Sequence, residues 1–514
     1  MKNFPYDIES LENFNQIKNE NLNLFNLKKR RKIWDEITNS LLILKIDDKT
    51  IAYEFFTSIS FALYNYIIPI ISALIDYQFY KNKNVNLVFN NGIINSILKN
   101  ITNEDLVKKN FIENINIKKT NKIRVILRNI YFLGNFNKPK VDLLDHNFNS
   151  RVYLKENFLV KYRPSNNFFN FYEIIKKDYS KSDVFNKIFD ELYEKLNLLF
   201  IQILKDNYVS NSLIQNFSIF LKFYLKFEIN IFLEVQKKLK NIKFNDNISS
   251  SIAGFKPSRL ITTYNYFKEK KIIKFDHNAG ILNGNHKGAY LGELNNCTDY
   301  FLTTDEAKIK AEKFYNQFFK TFNNKKRINF HSLQYKKQQI DNNKKKTVTK
   351  FKYTYFANSF KGYEFHGNGT FHDLDYLKLQ SIIFNFLKKN TNDFFYRAHP
   401  ETIIGINKNP LEKYLKNITF KESIIDGVIC VFDSTISSAF WECLQNQNPI
   451  ILIRHYLVDE SSLYLKRLEE RCEIIDIDHP EQTTDILKHL NFKKISQNSV
   501  EKSKVQDDFD NVIF

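Results

Sequence analysis

Apolar residues in the first half of the chain recur at three- and four-residue spacings. Asp183–Leu204 and Ile214–Leu239 hold that period throughout, which predicts long amphipathic helices, because a 3.6-residue repeat lines such positions along one face. Short apolar runs at Leu41–Ile46 and Asn84–Phe89 predict strands. Phe55–Ile75 carries no charge and is about as long as a membrane-spanning helix. Thr57, Ser58, Ser60, Asn65, Ser72 and a central Pro69 interrupt it, which predicts a buried helix pair broken near Pro69 in preference to a span.

From about Lys256 the pattern changes to short strands alternating with helices. Arg259–Thr263 and Lys271–Phe275 predict strands around a helical turn at Tyr264–Lys270; Tyr300–Thr303 predicts another strand, before a helix at Asp305–Phe319. Asn323–Lys350 is polar and reads as a linker. A second alternating run follows: strands at Thr354–Ser359, Phe394–Tyr396, Val428–Phe432, Pro449–Ile453 and Glu473–Ile477, with helices at Asp373–Lys389, Ala439–Gln447 and Glu481–Leu490. Alternation of this kind implies parallel pairing through right-handed crossovers. The expected architecture is α/β, with two Rossmann-like domains and a helix-rich N-terminal half. Residues 1–322 form the first part, Rossmann-like from about 256; 323–350 link it to a second domain at 351–490, and 491–514 form a tail.

Composition narrows the classes. Apolar residues make up 43% and charged residues 26% of the 514 positions, as in folded proteins. Twelve Gly and nine Pro exclude collagen-like and elastic repeats. The balance of 76 Lys plus Arg against 57 Asp plus Glu leaves a net charge of +19. Heavy use of Lys, Asn, Ile, Phe and Tyr is the drift of an AT-rich genome, so this charge is weak evidence for nucleic acid. Basic clusters at Lys28–Lys32 and Lys118–Arg128 read as solvated surface. The four cysteines have no close pair, which predicts core thiols rather than a metal knuckle or a disulfide framework. Met1–Ser10 carries Asp7 and Glu9 in place of a signal-peptide core, and a cytoplasmic location is expected.

The polar clusters of the second half follow strands directly. Open parallel sheets bind ligands outside the carboxyl ends of their strands, so His277, Arg397, His399, Ser437 and Ser438 stand where sites are built. Histidine there can act as a general base or as a donor to phosphate. Ser437 and Ser438 open a helix whose free N–H groups and positive end suit phosphate; plain N-capping uses the same residues. Glu442, one turn on, can accept hydrogen bonds from sugar hydroxyls. No G-x-G-x-x-G fingerprint, Walker lysine, H-E-x-x-H or G-x-S-x-G elbow occurs.

The order Arg397-Ala398-His399-Pro400, then Ser437-Ser438-Ala439-Phe440-Trp441-Glu442, then Asn448-Pro449-Ile450-Ile451, resembles the nucleotide-binding half of GT-B glycosyltransferases that build capsule, teichoic-acid and other surface polymers. Asp276-His277-Asn278-Ala279-Gly280 resembles the histidine loop of their N-terminal domain. The resemblance spans about Lys256–Leu490. It implies a glycosyltransferase using a nucleotide-activated sugar for surface polysaccharide or lipopolysaccharide. Arg397, His399, Ser437, Ser438 and Glu442 would hold the nucleotide and phosphates; His277 and His399 would be catalytic. It further implies no cofactor and no metal, a lipid-linked or oligosaccharide acceptor, and peripheral contact with the anionic inner face of the membrane, with Lys28–Lys32 as the expected patch. Two alternatives stand beside it: a teichoic-type polyol-phosphate transferase, and a basic nucleic-acid-binding protein, against which the dispersal of the charges argues.

Overall fold

The computed structural model describes residues 2–6, 27–113, 121–131, 138–145, 148–250, 256–275, 294–302, 305–316, 327–333, 352–357, 360, 373–391, 394–398, 411, 428–435, 438–445, 447–455, 462–477 and 480–504. The first strand, β1 (Lys2–Pro5), pairs in parallel with β2 (Val85–Val88). Helices α1 (Leu27–Leu42), α2 (Ile51–Ala62) and α3 (Ile68–Lys81) lie between them in sequence. Leu41–Ile46 is therefore no strand: its start closes α1, and a turn at Ile43 leads into irregular chain. A short apolar run has the same composition in a helix end and in a strand.

The helix pair expected at Phe55–Ile75 is instead one helical run, Ile51–Lys81. The π-turn Leu63–Ile67 joins α2 to α3, and the Ile68 N–H reaches the Leu63 carbonyl five residues back. Widening the turn just before Pro69 makes room for a residue that has no N–H and whose ring crowds the preceding turn. Three of its serines meet partners from other elements: Arg259 Nε donates to the Ser58 carbonyl at 2.7 Å, Asn295 Nδ2 to Ser60 Oγ at 2.8 Å, and Trp34 Nε1 to Ser72 Oγ at 2.8 Å. The run is long and apolar enough to cross a membrane, and most of it is buried within the protein.

Helices α4 (Gly92–Leu98), α5 (Glu104–Glu113), α6 (Lys122–Tyr131), α7 (Phe148–Asn157) and α8 (Phe171–Ile174) lead to the long pair α9 (Asp183–Asp206) and α10 (Asn211–Leu239), where the 3.6-residue pattern predicts helix. In α9 the buried positions Phe185, Ile188, Leu192, Leu196, Phe200 and Ile203 recur at that period. They pack α9 along α10 and α2.

Six parallel strands form one sheet: β3 (Lys140–Leu143), β4 (Leu159–Tyr162), β5 (Asn247–Ser250), β6 (Lys271–Phe275), β7 (Asp299–Leu302) and β8 (Asn329–Ser332), in the order β4-β3-β5-β6-β7-β8. The sheet begins at Lys140 rather than near 256, and β8 lies inside the stretch that reads as a linker. Arg259–Thr263 belongs to α11 (Lys256–Phe267), not to a strand. Pro257, in the first turn of α11, is a helix-start signal. Val141, Leu143, Ile273 and Phe275 pack with Leu154 of α7 in one core. Ile248 and Ile272 belong with Leu260 and Ile261 of α11 to another. Both faces are thus covered, which is why the strands read as continuous apolar runs. Helix α12 (Asp305–Phe314) connects β7 to β8.

The second sheet comprises β9 (Tyr353–Phe356), β10 (Phe394–Arg397), β11 (Ile429–Phe432), β12 (Ile450–His455) and β13 (Glu473–Ile477), all parallel, in the order β10-β9-β11-β12-β13. Five strands appear where five are expected. Helix α13 (Asp373–Asn390) precedes β10, α14 (Ser438–Gln445) follows β11, and α15 (Ser462–Arg471), α16 (Pro480–Lys488) and α17 (Phe492–Ser503) complete the described chain. α17 falls in the expected tail yet packs on the sheet: Phe492 meets the Tyr353 ring at 4.9 Å, and Ser496 Oγ lies 2.8 Å from the Tyr353 hydroxyl.

Candidate functional site

In the five-stranded sheet the chain steps from β9 outward to β10, then back past β9 to β11. This reversal, at the carboxyl ends of β9 and β11, is where open parallel sheets place their ligand sites. Phe356 of β9 stands in register with Arg397 of β10 and with Phe432 of β11. The two phenyl rings stack 4.7 Å apart. The Arg397 guanidinium lies 5.1 Å from the Phe356 ring centre, and Phe440 of α14 meets Phe432 edge-on at 5.2 Å. α14 therefore covers the face on which Arg397 lies, and starts just after β11 ends. Arg397 is half-buried, and its Nη1 is buried with no hydrogen-bond partner. A stacked guanidinium with an unused N–H suits a planar or anionic oxygen ligand.

On the other face, the Tyr355 hydroxyl donates to Asp433 Oδ2 at 2.7 Å. Burial, reinforced by the Asp433 charge, pushes the Tyr355 pKa well above its usual value, so Tyr355 remains a donor. The Tyr396 hydroxyl donates to Gln380 of α13 at 2.8 Å. Asp433, Ser434 and Thr435, directly after β11, are all buried. This polar turn is held from within the sheet.

The far end of α14 is closed by Arg471. Its Nη2 donates to the Asn448 carbonyl at 2.9 Å and to the Leu444 carbonyl at 3.5 Å, placing a cation where the helix dipole is negative. Cys443 of α14 and Cys430 of β11 sit with sulfurs 3.5 Å apart, and burial raises the Cys430 thiol pKa well above its usual value. All four cysteines are buried free thiols, as the reading of small core residues expects.

Of the residues singled out in the sequence, Arg397 and the start of α14 at Ser438 share one sheet edge. Glu442 follows one turn along α14; for Ser438 and Glu442 the helical backbone is what is described. His277, His399 and Ser437 lie outside the described residues. Among the described residues, no group of His, Cys, Asp and Glu is arranged to hold a metal ion.

The six-stranded sheet has a matching reversal between β3 and β5. Asp145, just past β3, accepts hydrogen bonds from Ser250 at the end of β5, at 3.0 and 3.2 Å, and from Ser258 in the first turn of α11. Ser165 Oγ lies 2.7 Å from Ser258 Oγ. Beside it, Lys256 Nζ pairs with Glu228 Oε1 of α10 at 2.8 Å; burial depresses the lysine pKa and the carboxylate opposes that shift. None of these residues is among those singled out above. Asp145 and Asp433 each close an apolar strand run, a signal that was present; the Lys256–Glu228 pair, 28 residues apart, left none.

Fold and sites define an α/β protein whose two larger parallel sheets among the described residues each gather polar side chains at the reversal point. Comparison with protein-family models, curated proteins and solved structures gives no match to this chain.

Proposed function

We propose that the protein is a GT-B-type glycosyltransferase that takes a nucleotide-activated sugar, with the five-stranded sheet as its donor-binding half, acting at the cytoplasmic face of a membrane. The observation that carries this reading is Arg397: a guanidinium stacked on Phe356, with an unfilled N–H, on the sheet face that α14 covers. As the bond from sugar to phosphate breaks, negative charge grows on the departing nucleotide. A fixed guanidinium and the N–H groups at the start of a helix stabilise that charge without reorganising. The reading gives this neutralising role to Arg397, His399, Ser437 and Ser438, and proton transfer from the acceptor hydroxyl to His277, through the resemblance of the sequence around them.

A donor screen tests it. Full-length protein is heated with UDP-, GDP-, CMP- and CDP-linked sugars, with CDP-glycerol and CDP-ribitol, and alone. A true donor at a hundred times its Kd raises stability by about 2.7 kcal/mol and supports transfer to a lipid-linked acceptor, whereas Arg397→Gln loses most of both. Response to polyol donors alone moves the reading to a polyol-phosphate transferase. No response to any nucleotide, or an undiminished response in Arg397→Gln, overturns the site.

A further inference from the structure

Helix α6 is built inside out. Ile123, Ile126, Leu127 and Ile130 fall at the i, i+3, i+4, i+7 spacing of one helical face, the pattern that ordinarily turns inward. Here they are 64%, 58%, 60% and 57% exposed, and no α6 residue is buried.

The opposite face is the one that docks, with Val125 packed against the core that holds Val141 and Val160. The Asn129 side chain accepts the Tyr162 N–H at 2.8 Å and donates to the Tyr162 carbonyl at 3.3 Å, filling the outer edge of β4, the last strand of its sheet. Arg128 Nη1 donates to the Tyr162 hydroxyl at 2.7 Å, with the guanidinium 4.9 Å from that ring centre. These bonds hold the helix so that its apolar stripe cannot turn toward the core.

We propose that α6 is an interfacial helix that lies on an anionic lipid surface, with the isoleucine–leucine stripe in the acyl boundary. Charge complementarity selects this occupant. α6 carries Lys122, Arg124 and Arg128 and no acid; at 100° per residue, Lys122 and Arg124 border the stripe on either side, where their ammonium and guanidinium groups reach headgroups while the stripe is immersed. Lys155 of α7 extends the cationic rim, its Nζ 4.4 Å from the Tyr131 ring centre, and Lys161 of β4 is exposed beside Tyr162. Glu156 is the acid nearest in sequence to that rim. A second copy of the chain seated on this face would set the same cations against each other. The inference is independent of the donor site.

Flotation of full-length protein with phosphatidylcholine vesicles, with and without phosphatidylglycerol, tests it. The protein floats with phosphatidylglycerol vesicles at low salt. Ile126→Ser/Leu127→Ser/Ile130→Ser reduces partitioning by about tenfold or more without changing the melting temperature or the nucleotide response. Lys122→Gln/Arg124→Gln weakens it severalfold, and only when anionic lipid is present. Absence of wild-type flotation, or flotation of the triple variant equal to wild type, overturns the proposal. So does a dimer in size-exclusion chromatography that the triple variant dissociates while flotation is unchanged.

Discussion

Burial sets what single ionisable groups do in this protein. Glu54 of α2 accepts a hydrogen bond from Gln236 at 2.6 Å, yet its carboxyl pKa is raised: desolvation outweighs that bond and the Lys268 charge. A carboxyl with a raised folded-state pKa binds its proton more tightly in the folded chain. Its favourable contribution is complete below the unfolded pKa and is lost as pH rises through the folded value. Glu54→Gln is therefore expected to raise the urea midpoint at neutral pH, with the gain shrinking as pH falls through the folded-state pKa and reaching nothing below the unfolded one. Paired urea titrations across that range check the sign; a variant less stable at neutral pH than the parent would contradict it. Arg397 differs in kind. It is half-exposed and stacked, and removing it is expected to reduce ligand response more than stability.

At the scale of elements, α14 shows how a short helix is held for use at one end. Its length is eight residues, too few to persist alone. Phe440, Cys443 and Leu444 bury one side against the second core, and Arg471 occupies the carbonyl end. Arg471→Met keeps much of the volume and removes the charged donor to the Asn448 carbonyl. A loss of about 1.5–3 kcal/mol is expected, read from urea unfolding. Because α14 begins at the reversal point, the same variant is expected to weaken the nucleotide response, while the α6 variants leave it intact. Helix α6 owes its orientation to Asn129 and Arg128 in the same way: a few side-chain bonds to a strand edge outweigh the ordinary inward preference of an apolar stripe.

For the whole molecule, net charge governs non-specific binding. The net +19 predicts adsorption to any polyanion, and counterion release makes such binding collapse with salt, by about a thousandfold or more between 50 and 200 mM for six or more phosphate contacts. Binding to duplex DNA is expected to follow that slope and to vanish near physiological ionic strength, whereas a stacked, hydrogen-bonded nucleotide at Arg397 keeps most of its affinity. Filter binding at a series of salt concentrations separates the two. DNA binding that persists through the series would favour the nucleic-acid reading over the transferase. Both sheets share one strand order, with the second strand outermost and the reversal between the first and third.

Local periodicity told correctly of α9, α10, β2, β6, β7 and the five strands of the second sheet, because the spacing of apolar positions records which face of an element is buried. It also marked the ends of those strands, and so brought Arg397 and Ser438 to notice. What it cannot record is the partner of a buried face. Parallel pairing joins residues far apart in the chain, so the link from Val141 to Asn247 left no local trace, and the first sheet looked shorter than it is. Arg259 read as part of a strand because its apolar neighbours fit either period; in the helix, its side chain bonds Ser58, 201 residues away. Helix α6 went unread in the sequence, where Lys118–Arg128 stood only as a basic cluster on solvated surface, and it was tertiary structure that set its apolar stripe outward. Sequence alone determined the strongly periodic elements just named and the residues at their ends; the tertiary structure decided the remaining strands, strand order, the two reversal points and the exposed stripe, since these rest on contacts between distant segments.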